Sequence, residues 1–133
     1  MSAETGGLVR RMIYLLEDKH FSIFKLNARE MINKLGLSDW HITFDIQELS
    51  DGDLAQCHIN RVAKKARLVL NSVFYDVEPT DEKLMESAYH EVLELLLDDI
   101  EAPCWIESLS VEDRQKALNS GRHTVINRLL RVL

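Results

Sequence analysis

The sequence predicts an α+β domain, with helices at both ends of the chain and a small β-sheet between them. Three observations predict it. Apolar residues recur at helical spacing near the N-terminus and again from Leu84 onward, and residues 40–46 alternate strictly between apolar and polar. Turn-forming clusters separate the two regimes. With 133 residues, 46% of them hydrophobic, the chain can bury one core of ordinary size. It contains no internal repeat and no linker, so residues 1–133 read as a single domain. Within it, 1–36 form an N-terminal helical part, 37–77 the strands, and 79–133 the C-terminal helices.

Each element has a local reason. Leu8, Met12, Leu15 and Leu16 share one helical face, which predicts a first helix over 8–16. A second helix over 21–35 ends at Gly36, a residue suited to the left-handed cap position. Trp40, Ile42, Phe44 and Ile46 then fall on one side of a half-buried strand, leaving His41 on the exposed side. Ser50-Asp51-Gly52-Asp53 is a turn cluster. Strands follow over 54–60 and 66–71, joined by a basic, solvent-facing connection over 61–65, and a third extended piece covers 72–77.

Pro79-Thr80-Asp81-Glu82 announces a long helix running to about residue 100. Thr80 is placed to cap it, and the two acids suit the positive end of its dipole. Pro103 ends it. Ser110-Val111-Glu112-Asp113 approximates a capping box for a short helix to 118, and Asn119-Ser120-Gly121 is expected to break it. A last helix from His123 presents Val125, Ile126, Leu129, Leu130 and Leu133, with Arg122, Arg128 and Arg131 on its exposed side.

Composition narrows the function classes. Sixteen Lys and Arg stand against 22 Asp and Glu, a formal charge of −6, which disfavours direct nucleic-acid binding because that requires a positive surface. No apolar run approaches the roughly 20 residues of a membrane span. The first seven residues lack the basic start and apolar core of a secretory signal. Cys57 and Cys104 have neither metal-ligand spacing nor a disulfide-framework pattern. A cytoplasmic chain is the expectation, with both cysteines as small buried apolar residues.

The chemistry-bearing stretch is His90-Glu91-Val92-Leu93-Glu94, on the long helix. It is one residue short of the HExxH zinc signature, Glu94 standing where the second histidine belongs. Residues four apart share a helix face, so His90 and Glu94 can both reach one ion, with Glu91 beside them where a general base belongs. The same residues, with Ser87 and Asp98, form a polar stripe opposite Leu84, Ala88, Val92, Leu95 and Leu96. That is also the pattern of any solvent-facing amphipathic helix, on which His90 and Glu94 would simply pair.

Four segments in this order carry a resemblance. They are Leu37-Ser38-Asp39-Trp40-His41-Ile42, then Gln56-Cys57 with residues 65–71, then the helix around Tyr89-His90-Glu91-Val92-Leu93-Glu94-Leu95-Leu96-Leu97, and finally Arg122-His123-Thr124-Val125-Ile126-Asn127-Arg128-Leu129. Over residues 37–133 the chain resembles a family of small zincin-like proteins encoded by phages and prophages. The resemblance implies a zincin-like α+β fold whose long helix is the active-site helix. It implies zinc as cofactor, His90 as a metal ligand and Glu91 as the catalytic base. It puts Glu94 at the second ligand and looks downstream for a third, for which His123, Glu101 and Glu107 are candidates. Arg122 stands where the family pattern has an acidic residue, and arginine binds no metal. With Glu94 and Arg122 both departing from the pattern, the expected function is a degenerate metallopeptidase that binds and inhibits a host protein in the host cytoplasm. A zinc-dependent endopeptidase using an HExxE site is the alternative.

Overall fold

The structure is a computed structural model, and it describes residues 11–50, 52–101 and 110–131. Along these residues run β1 (Ile13–Leu15), α1 (Asp18–Lys34), β2 (His41–Gln47), β3 (Ala55–Asn60), β4 (Lys65–Asn71), β5 (Val73–Tyr75), α2 (Asp81–Glu101) and α3 (Val111–Leu130). The α+β class is as the sequence predicts.

Helix α1 begins where the backbone N–H of Glu17 donates to His20 Nδ1 at 2.8 Å. It ends in a full Schellman motif: Gly36 N–H bonds to Asn33 O, Leu37 N–H reaches back to Ile32 O, and Gly36 takes φ +68°. The positive φ is what calls for glycine at this position, because a side chain there would be strained. Strand β4 is the centre of a three-stranded sheet ordered β2-β4-β3, parallel to β2 and antiparallel to β3. Its inward residues Ala66, Leu68 and Leu70 join one core with Phe24, Ala28 and Ile32 of α1 and with Leu84, Ala88, Val92, Leu95 and Leu96 of α2. Strand β3 is therefore an edge strand, and α2 packs against it as well as against α1 and α3.

Three expectations are corrected. Residues 13–15 form a strand rather than part of a helix, because β1 pairs antiparallel with β5, Tyr14 opposite Phe74. The pairing is closed by Asp76, whose N–H bonds to Met12 O and whose carboxylate accepts from Met12 N–H. The N-terminal part thus holds one described helix, α1, and the strands divide into two small sheets. Asn119-Ser120-Gly121 does not interrupt α3, which runs unbroken through it from a Ser110 cap that accepts from Asp113 N–H at 3.1 Å. Gly121 is buried there together with Val125, so its small size serves packing rather than a break. Arg128, expected on the exposed side, is mostly covered and pairs with Asp39 at 3.7 Å. Cys104, Glu107 and the Trp105-Ile106 pair lie outside the described residues. No described helix is long and apolar enough to cross a membrane.

The loop between β2 and β3 is held by one buried side chain. Asn71 accepts from the N–H groups of Leu49 (3.1 Å) and Val73 (3.0 Å) through Oδ1 and donates to Asp53 O (2.7 Å) through Nδ2. Its amide is thus engaged on both sides, and its loss leaves buried backbone groups without partners. Asn71→Ala is expected to cost at least about 2 kcal/mol in urea unfolding. A loss under roughly 0.5 kcal/mol, the size of an ordinary surface change, would show that the loop does not depend on it.

Candidate metal centre

Helix α2 carries its polar stripe as expected, but the stripe is not a solvated face. Only His90 and Glu94 are open to solvent, whereas Ser87, Glu91 and Asp98 are buried. The reason is the edge strand: α2 lies with the Ser87–Glu91–Asp98 side turned toward β3, so carboxylates that helical periodicity marks as surface groups are covered.

The two buried carboxylates are treated differently. Asp98 is 3% exposed and receives Arg61 Nε, from the turn after β3, at 2.6 Å. Glu91 is 5% exposed, and among the described residues no lysine or arginine pairs with it. Burial first, then the charge of Glu94 and a hydrogen bond with it, then the charge of Asp53, push its carboxyl up to about 8. At neutral pH it holds a proton.

His90, Glu91 and Glu94 each offer one ligand atom within 4.8 Å of the others, and His90 Nε2 lies 3.2 Å from Glu94 Oε1. This group could hold a metal ion: one imidazole nitrogen and two carboxylates are ordinary donors for a divalent cation, and a buried carboxyl without a cationic partner suits one. His123 lies exposed on α3 and is not part of the group, and Glu101 is the last residue of α2.

The facing wall comes from residues to which the sequence assigned no chemistry. A groove of about 290 Å³ brings Asp53, Cys57 and His58 together with His90, Glu91 and Glu94, and an adjoining one of about 340 Å³ is shared by Asp53, Lys83, Glu86, His90 and Glu91. Spacing along the chain gives no sign of this, because β3 meets α2 only through the tertiary fold. Cys57, half-buried, is no nucleophile: burial, then the charges of Glu91, Glu94 and Asp98, raise its thiol to about 12. His58 is exposed, with Nε2 3.2 Å from Gln56 Oε1.

The raised Glu91 carboxyl has a consequence for stability. The native state binds this proton more tightly than the unfolded chain, so the contribution is complete below the ordinary value of 4.5 and is lost as pH rises through about 8. Gln mimics the protonated form at every pH. In the presence of a chelator, Glu91→Gln should match the parent near pH 4.5 and exceed it by at least about 1 kcal/mol at alkaline pH. Parallel stability curves for the two proteins would contradict the assignment.

Comparison with protein-family models, with curated proteins and with solved structures finds no match to this chain.

Proposed function

We propose that the chain is a zincin-like protein of the phage or prophage kind whose metallopeptidase site is degenerate, and that it acts by binding and inhibiting a host protein. The observation that carries this reading is the make-up of the α2 group. The three ligand atoms brought together all belong to one helix, at His90, Glu91 and Glu94, and no described residue of α3 joins them. Hydrolysis of a peptide needs a metal with strong Lewis acidity and a base standing apart from the ligands. Here a carboxylate replaces the second imidazole, adding negative charge, and Glu91 sits inside the donor group with a proton on it. A reading as a binding protein is further supported by apolar side chains left open on the same helices, Leu93 and Leu97 on α2 and Ile126 and Leu130 on α3. A charge of −6 suits a basic partner surface.

The endopeptidase reading has one observation in its favour. The groove holding His90, Glu91 and Glu94 runs along β3, an edge strand onto which an extended peptide can add by main-chain hydrogen bonds. In that reading His90 and Glu94 hold zinc, which when bound supplies the Lewis acid that activates water, and Glu91 takes up the proton.

The two readings separate on Glu91. Expressed in a susceptible bacterial host, the parent chain and Glu91→Gln should inhibit equally, and the purified parent supplied with zinc should cleave no unstructured protein substrate. Loss of inhibition in Glu91→Gln, together with zinc-dependent cleavage by the parent, would overturn the binding function in favour of the peptidase.

A further inference from the structure

We propose that the open face of the three-stranded sheet docks an extended acidic segment of a partner protein, with Lys65 and Arg67 of β4 pairing with its alternate carboxylates. This face is turned away from the core side chains of α2, and its role stands whether or not α2 holds a metal.

Strand alternation builds the surface. Ala66, Leu68 and Leu70 of β4 point into the core, so Lys65 and Arg67 point the other way. The register sets His41 of β2 and Asn60 of β3 on either side of Lys65, and Thr43 and His58 on either side of Arg67. These six side chains line one groove of about 420 Å³. All are exposed except Arg67, which is half-buried, so the groove is open to solvent.

Charge decides what fits it. The chain as a whole carries −6, yet this groove is lined by two cations and by no carboxylate. Nearby basic side chains are already taken, Lys64 by Asp39 and Arg61 by Asp98. Lys65, by contrast, has no carboxylate partner among the described residues. Asp45, the only acid in these three strands, accepts from Arg67 Nη1 at 3.0 Å, and no other described acceptor takes the rest of that guanidinium. A positive patch on an acidic protein selects for an anion at that place.

Spacing decides the form of the anion. Lys65 and Arg67 stand two residues apart on one strand, roughly 6.6 Å at the usual rise per residue. Side chains at every second position of an extended peptide repeat at the same interval and on the same face. Acids at alternate positions can therefore meet both cations at once, with Thr43, Asn60 and the two imidazoles beside them as hydrogen-bonding groups. Nucleic acid fits less well. The groove has no Phe, Tyr or Trp ring for a base to stack on, and the net charge repels a polyanion.

The test measures binding of short fluorescent peptides to the full-length chain by anisotropy. One peptide alternates Glu and Thr. Its control, of equal length and charge, carries Glu at every third position, so that neighbouring acids fall on opposite faces when extended. The alternating peptide should bind at least about threefold more tightly than the control, the scale of one exposed ion pair. Lys65→Gln should weaken it about three- to fivefold, and Lys65→Gln combined with Arg67→Gln at least about tenfold. Lys116→Gln removes an equal charge from α3 and should change binding by less than about twofold, because salt screens distant charges. Equal binding of the two peptides, or equal effects of Lys65→Gln and Lys116→Gln, would show diffuse attraction only and overturn the proposal. A single-stranded oligonucleotide of the same charge that binds more tightly than the alternating peptide would also overturn it. So would a parent chain that binds neither peptide, a result that leaves both readings of the α2 group standing.

Discussion

A carboxylate taken out of water needs a cation or a proton, and α2 buries two of them against the edge of the sheet. Asp98 has its cation, Arg61, at 2.6 Å. Glu91, two turns earlier on the same side of the helix, has none and keeps a proton. Everything distinctive about the groove follows from that asymmetry. The Arg61 pair ties the turn after β3 to the later part of α2, while Asn71 ties the loop before β3 to β4 and β5. With both ends of the edge strand held, the space opposite Glu91 keeps its shape, and it is the place where positive charge is missing.

Much of the fold was legible because its signals are local. The alternation of residues 40–46 became β2, the Gly36 stop became a Schellman motif, and Thr80 and Ser110 both accept the capping hydrogen bonds expected of them. The errors share the opposite character. Residues 13–15 pair with a strand some sixty positions away, and three residues carry too little pattern to reveal it. The Asn119-Ser120-Gly121 run reads as a breaker by propensity, yet burial of Gly121 in α3 overrides that preference.

The site divides along the same line. His90, Glu91 and Glu94 were legible because helical spacing puts them together, and they do meet. Asp53, Cys57 and His58 were not, since nothing in a turn cluster or a weak strand announces which helix it will face. The polar stripe was misjudged for a related reason. Periodicity tells which residues share a face, but whether that face meets solvent or an edge strand is a property of the tertiary fold. Ser87, Glu91 and Asp98 face the strand. A group suited to holding a cation and a group suited to cleaving a peptide therefore separate in this protein: the first needs donors brought together, and the second also needs a base free of them.

The central claim is that Glu91 is a buried carboxyl left without a cation. The measurement closest to it is the pH titration of the Glu91 side-chain carboxyl carbon by NMR in the metal-free protein. The account predicts a protonated carboxyl at neutral pH, with a midpoint near the value of about 8 that its burial and acidic neighbours impose. A midpoint at the ordinary value of 4.5 would contradict it, since Glu91 would then be ionised and its surroundings would already supply what the groove is argued to lack.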